Sequence, residues 1–297
     1  MLPLGQIIRK YNISFHCYAD DTQIYLPLTP NNHSQLDNLR NCLTDIKSWM
    51  TQNFLQLNDF KSEIVLFGRP DSISQIRNDL GNLSCFVKPH SKNLGVLFDS
   101  DFKFDKQINA VVKSCFFHLR SISKIKPFLS VHDLEVVIHA LLISCLDYCN
   151  SFNIGISKSA LSRLQMVQNA AARLLTGTKK RDHITPVLAS LHWLPVQFRI
   201  HFKILLFVYK ALNGLAPAYI TDLINYPPTT NWQLRSTDLG LLDIPTSNLR
   251  RRGDRAFSVA APVLWNSIPL SIRSAPSIDS FKSRLKTLFY SQAFESP

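Results

Sequence analysis

Residues 15–26, FHCYADDTQIYL, set two adjacent carboxylates, Asp20 and Asp21, inside a run that is mostly apolar, β-branched and aromatic. Neighbouring like charges repel, and successive side chains on a strand point to opposite faces. One buried strand therefore cannot run through the pair. The pattern over residues 11–28 predicts two strands broken at Ala19-Asp20-Asp21 and joined as a hairpin.

The rest of the chain has a different period. Leu36, Leu39, Leu43, Ile46 and Met50 recur at intervals of three and four, the stripe of an amphipathic helix. Residues 62–68, SEIVLFG, read as a strand stopped by Gly68, and residues 93–98, NLGVLF, as another. From residue 105 helical periodicity takes over. Ile108, Val111, Val112, Cys115, Leu119 and Ile122 line one face, with further helical stretches near 132–148, 158–175, 198–213 and 277–290. Residues 215–250 are rich in Pro, Thr and Asn and weakly periodic, as a long loop or linker is. The expected class is α+β: a mixed segment over 1–104, a helical region over 105–214, a Pro-rich linker over 215–250, and a basic segment with a terminal helix over 251–297.

At 297 residues, 45% hydrophobic and 18% charged, the chain has enough apolar side chains for a core. Its longest apolar run, residues 136–146, is about half of the ~20 residues that a membrane span needs, so a buried helix is expected there. The first residues lack the pattern of a secretory leader. Six scattered cysteines among apolar neighbours, without zinc-site spacing, predict reduced core thiols and a nuclear or cytoplasmic setting. The net charge of +12 is uneven: residues 1–150 carry 15 Lys and Arg against 14 Asp and Glu, and residues 151–297 carry 18 against 7. Such a half fits either a polyanionic partner or plain solubility.

A hairpin tip exposes its side chains while its strands bury theirs. Carboxylates there can hold Mg²⁺, a hard cation that takes oxygen ligands and keeps several waters. The alternative is a solvated turn, because Asp is a favoured turn residue. The apolar runs on both sides, with Tyr18 and Ala19 before the pair, favour metal binding.

YADDTQIYL resembles the catalytic hairpin of reverse transcriptases. Four further segments, in order, resemble one group of them: WMTQNFLQLNDFKSEIVLFG (49–68), KNLGVLFDSDFKFDKQI (92–108), RDHITPVLASLHWLPVQFRIHFKILLFVYKALNGLAPAYI (181–220) and RRGDRAFSVAAPVLWNSIPLSIRSAPSIDSFKSRLKTLFY (251–290). Together they are similar to the back half of a non-LTR (LINE-type) retrotransposon polyprotein, over nearly the whole chain.

The resemblance implies a partial polymerase palm followed by a mostly helical thumb and C-terminal region. Asp20 is then the primary metal ligand with Asp21 beside it, and Tyr18 sits under the primer end or the incoming nucleotide. Lys61 takes the place of the palm Lys that follows a Leu-Asn pair, near the triphosphate, where it acts as charge neutraliser or general acid; an ordinary exposed Lys is the alternative. Residues 93–98 resemble the primer-grip strand pair, in which Leu94, Gly95 and Val96 let backbone lie close to the primer, although a bulge explains Gly95 equally well. Lys179, Lys180, Arg181, Arg250, Arg251, Arg252 and Arg255 are the candidates for backbone contacts to an RNA template and DNA primer, each also explicable as part of a solvated basic loop. Trp193 and Trp265 have apolar neighbours that favour core packing over base stacking, and His183 and His192 have no metal-site spacing.

The resemblance also implies an Asp on an upstream strand and nucleotide-binding fingers. Residues 1–14 contain no Asp or Glu, so the chain is expected to begin at an internal Met beyond those parts. No Cys follows Cys149, which leaves no zinc knuckle. The expectation is an RNA-directed DNA polymerase fragment that is inactive by itself, with Mg²⁺ as the cofactor of the complete enzyme. The alternatives are a catalytically dead nucleic-acid-binding remnant and a genomic relic.

Overall fold

The computed structural model describes residues 2–29, 33–226, 240–247 and 252–295. The protein is mixed α+β, mostly helical, with two small antiparallel sheets of two strands each. It divides into two compact units, the first ending at Asp101 and the second beginning at Phe102.

In the first unit, helix α1 (Leu2–Lys10) precedes strands β1 (Ser14–Tyr18) and β2 (Asp21–Tyr25), and α2 (His33–Gln52) follows. The short α1 lies outside the elements expected from the sequence. Leu4 and Ile8, one turn apart, bury its inner side with Ile13, Cys42 and Ile46. Phe15 and Ile24, opposite each other in the β1–β2 ladder, pack on this cluster. Tyr11 Oη and Lys10 Nζ both donate to Asp45 Oδ2 of α2, at 2.6 and 2.9 Å. Those two bonds hold the Asp45 carboxyl below its ordinary range, and the bond to Asp45 pushes the Tyr11 hydroxyl up.

Residues 62–68 form no strand. Ile64 makes an isolated parallel bridge to Val87, with Ile64 N donating to Phe86 O at 2.9 Å and Lys88 N to Ile64 O at 2.8 Å. After α3 (Pro70–Asp79), residues 90–99 make a hairpin where periodicity suggests one strand over 93–98 and the resemblance a strand pair: β3 (His90–Asn93) pairs with β4 (Val96–Asp99). Leu94 and Gly95, both at positive φ (44° and 84°), turn the chain between them.

The second unit contains α4 (Asp105–Ile125), α5 (Val131–Ile138), a π-helical turn over His139–Ile143, α6 (Ser144–Asp147), α7 (Lys158–Thr176), α8 (Thr185–Ser190), α9 (Val196–Leu212), α10 (Ala218–Thr221), α11 (Phe257–Ser267), α12 (Leu270–Arg273) and α13 (Ile278–Phe294). The π turn interrupts the helix expected near 132–148, and α10 falls at the start of the expected linker. Helices α4 and α7 pack side by side and run parallel. At their beginnings Arg163 reaches Asp105 (3.0 Å) and Asn109, and at their ends Lys126 Nζ donates to Leu174 O at 2.5 Å. Phe281, Leu285 and Phe289 of α13, spaced by four, are buried. The Tyr209 ring of α9 stacks on Phe281 at 4.4 Å, while its hydroxyl donates to Ala275 O at 2.9 Å.

Candidate functional site

The β1–β2 ladder pairs Tyr18 with Asp21 and leaves Ala19 and Asp20 as a two-residue turn. Ala19 adopts φ 53°, a left-handed conformation that glycine tolerates better than alanine. Asp20 and Asp21 are exposed at this tip, as is Tyr18. The side chain of Phe15 faces the α1–α2 cluster, so the packing anchors the base of the hairpin and leaves the carboxylates in solvent.

The hairpin also meets the second one. Asn93 Nδ2 donates to Gln23 Oε1 at 2.8 Å, a link between residues 70 positions apart. Asn93 is the last residue before the Leu94-Gly95 turn, and Gln23 lies two residues after Asp21. This bond therefore relates the carboxylate turn to the second tight turn. Both Leu94 and Gly95 have φ above zero, the signature of a two-residue turn matched to strand twist; Gly95 is thus explained by the turn and not by a bulge.

Lys61 ends a single 3-10 turn over Asp59–Lys61, capped by Asn58 Oδ1, which accepts from Lys61 N at 3.3 Å. Its ammonium is exposed and makes no hydrogen bond or ion pair with either hairpin among the described residues. Neighbouring Asp59 pairs with Lys47 at 3.3 Å.

As donors, Asp20 and Asp21 fit Mg²⁺: they are hard oxygens on an open turn that leaves room for the waters this ion keeps. The fit is incomplete. Among the described residues no group of three or more His, Cys, Asp or Glu side chains converges, whereas two-metal chemistry draws on carboxylates from more than one strand.

The basic candidates separate into distinct environments. Lys179, Lys180 and Arg181 are exposed on the loop after α7. That loop is tied down by Arg173, whose guanidinium donates to Lys179 O and, at 2.8 Å, to Asp182 O, while Asp182 Oδ2 accepts from Lys179 N at 3.1 Å. Three cations thus project from a fixed backbone. Arg255 is used differently. Its Nε donates to Ile154 O at 2.7 Å, its Nη1 to Phe102 O and its Nη2 to Phe152 O at 3.3 Å, with the guanidinium 5.5 Å from the Phe104 ring. A guanidinium bonded to three main-chain carbonyls is a clamp of the second unit, and its geometry is not that of a phosphate contact. Arg252 is half-buried, and Arg250 and Arg251 lie outside the described residues. Trp193 and Trp265 are buried; Trp265 Nε1 donates to Gly240 O at 3.0 Å, and the edge of His139 meets Trp193 at 5.3 Å. His192 packs on Tyr290, with ring centroids 5.5 Å apart.

No family model, curated protein or solved structure matches this chain. Among the described residues, no helix is long and apolar enough to cross a membrane.

Sequence reasoning misses Gln23, Asn93 and Arg173. Each acts through an amide or guanidinium that bonds far along the chain or to main-chain oxygens, and such partners leave no local periodicity to read. Gln23 has one signal: it alternates with Ile24 and so shares the outward face of β2.

Proposed function

We propose that residues 14–99 supply the carboxylate hairpin and the primer-side hairpin of an RNA-directed DNA polymerase palm, of the non-LTR retrotransposon kind. The helices from Phe102 onward are the thumb-like part that follows it. One observation carries the reading: Asp20 and Asp21 stand on an exposed turn whose hairpin is bonded, through Gln23 and Asn93, to a second tight hairpin. In this reading Asp20 is the principal carboxylate and Asp21 its neighbour. Tyr18 underlies the primer end, the Leu94-Gly95 turn brings backbone to the primer strand, and Lys61 neutralises charge near the triphosphate. Mg²⁺, when bound, supplies the positive charge that stabilises the attacking and leaving oxygens of nucleotidyl transfer.

Two carboxylates on one turn hold such an ion weakly, since most of its coordination falls to water. These 297 residues are therefore a polymerase fragment that binds template–primer without extending it. A purely nucleic-acid-binding role is the second reading. It is favoured by the charge of the second unit, residues 102–297, where 24 Lys and Arg stand against 11 Asp and Glu. Binding of that kind is insensitive to base sequence and weakens steeply with salt.

Primer extension by the purified chain on an RNA template with Mg²⁺ tests the proposal, alongside binding of an RNA–DNA hybrid. The expected result is hybrid binding that is salt-sensitive and no extension. Templated synthesis that disappears in Asp20→Asn would show that the chain alone is a complete polymerase. Absence of hybrid binding even at low salt would sink both readings.

A further inference from the structure

The solvent face of α4 carries a stripe that its packing does not explain. Lys113, Phe117, Arg120 and Lys124 succeed one another at intervals of four, three and four residues, so they share one line along the helix. All four are exposed, Phe117 at 64%. At a rise of 1.5 Å per residue the line is about 16 Å long. The side chains of Lys113, Arg120 and Lys124 meet no acid among the described residues. The lone acid of α4, Asp105, is bonded to Arg163 at the far end of the helix, and the next cation along, Lys126, is bonded to Leu174 O. Like charges one turn apart destabilise a helix, and an aromatic ring left in water gains nothing for the fold. The stripe is therefore unfavourable to the isolated unit on both counts.

The line also leads somewhere. Because α4 and α7 run parallel, with Lys126 bonded to Leu174, the Lys124 end of the stripe lies at the same end of the helix pair as the loop bearing Lys179, Lys180 and Arg181. The stripe and that loop together supply six cations and the exposed Phe117 ring, and the acid of that loop, Asp182, is bonded within the loop itself.

We infer that this track binds an unpaired nucleic-acid strand, its cations meeting successive phosphates and Phe117 stacking on a base. The ring decides between partners. A duplex offers phosphates but keeps its bases stacked inside, whereas a single strand offers both, and a groove of cations interleaved with an aromatic is how such strands are held without sequence preference. The inference goes beyond the proposed function, which concerns a paired template–primer hybrid. It also stands apart from it, because it requires neither Asp20 nor Asp21.

The test is fluorescence anisotropy of the full chain with a labelled, unstructured RNA of about 12 nucleotides, read from about 50 to about 200 mM salt. Arg120→Ala/Lys124→Ala is compared with the charge-matched control Lys158→Ala/Lys286→Ala, and Phe117→Ala with Phe117→Trp. All these side chains are exposed, and unchanged far-UV circular dichroism checks that the folds match. The stripe variant is expected to weaken binding about tenfold or more and to lower the slope of log affinity against log salt by about 1.4, at ~0.7 per phosphate lost. Phe117→Ala is expected to weaken binding about tenfold, and Phe117→Trp to restore it. Equal losses in stripe and control variants would overturn the inference, as would an unchanged affinity in Phe117→Ala. So would equally tight, Phe117-dependent binding of a blunt duplex, or binding to phosphatidylcholine–phosphatidylserine vesicles that competes with the RNA.

Discussion

Asn93 and Gln23, 70 positions apart, are joined by a 2.8 Å hydrogen bond from Nδ2 to Oε1, and that bond relates the two hairpins of the first unit. Both amides are at the surface, so the bond contributes modestly to stability, about 0.5–1.5 kcal/mol. Its consequence is in position. Asn93→Ala and Gln23→Ala are each expected to lower stability by about that amount, with the double variant no worse than either single one, because a second loss from an already broken bond adds nothing. Denaturant titration of the three variants checks this; additive losses would mean that the amides act independently.

The turn that lifts the carboxylates stores strain at Ala19, whose φ is 53°. Ala19→Gly is expected to relieve it and raise the stability of the first unit by up to ~1 kcal/mol, leaving the turn shape unchanged. Thermal unfolding of the variant measures the effect, and a lower melting temperature would contradict the strained turn.

Gly155 sits at φ +66° directly against Arg255, and a Cβ built on it would lie 2.6 Å from Arg255 Cγ. The site needs glycine for conformation and for space. Gly155→Ala must displace the guanidinium from the carbonyls of Ile154, Phe102 and Phe152, each lost bond to the charged group costing about 1–3 kcal/mol where the acceptor is shielded from water and less at the exposed Phe152. Arg255→Lys is expected to be nearly as damaging, since a single ammonium cannot serve three carbonyls arranged around a planar fork. Calorimetry of the two variants should show the loss confined to the transition of the second unit.

Much of the helical framework is legible in the amino-acid order alone. The stripes of α2, α4, α7, α9 and α13 follow the three-and-four spacing, because a one-sided apolar face is a property of sequence. The first hairpin is legible for the same reason: two apolar runs flank a pair of charges that cannot be buried. Residues 62–68 look like a strand and are not one, since strand identity depends on a partner, and Ile64 finds only a one-residue bridge to Val87. The second hairpin is hidden from periodicity, though not from the resemblance, because Leu94, an apolar residue, occupies a turn position at positive φ where the pattern offers no warning except the following Gly95. At the candidate site, Asp20 and Asp21 can be named from their setting. Arg255 cannot be separated from Lys179–Arg181 in this way, because a clamp and an open cation look alike until the carbonyls around them are known.

His201 is half-buried between Phe198 and Phe289, with centroid distances of 6.3 Å to each, and this partial burial pushes its pKa down from the ordinary value. The unfolded chain therefore binds the proton more readily than the fold does. The second unit is expected to keep its full stability above about pH 6.5 and to lose some as the pH falls below that value toward the lowered folded pKa. Melting temperatures across that range should fall in the parent and fall less in His201→Phe; an identical pH slope in both would assign the effect elsewhere.

Burial and the neighbouring Cys145 push the Cys115 thiol up to about 12, and burial also raises that of Cys42. Cys17 and Cys85 are exposed. A thiol reagent at neutral pH should therefore label Cys17 and Cys85 first and reach Cys42 and Cys115 only when the fold opens. Peptide mapping over time reads the order directly, and early labelling of Cys115 would contradict its buried position.

Whether Asp20 and Asp21 hold a metal ion is decided by where a divalent ion sits on the first unit. Mn²⁺, which accepts the same hard oxygen ligands as Mg²⁺, can be titrated into the full chain while the amide NMR spectrum is followed. The expected result is weak, saturable line broadening centred on Ala19, Asp20, Asp21 and Thr22 that disappears in Asp20→Asn/Asp21→Asn. Broadening centred elsewhere, or broadening of the turn that persists in the double variant, would contradict the assignment of these two carboxylates as a metal-holding pair.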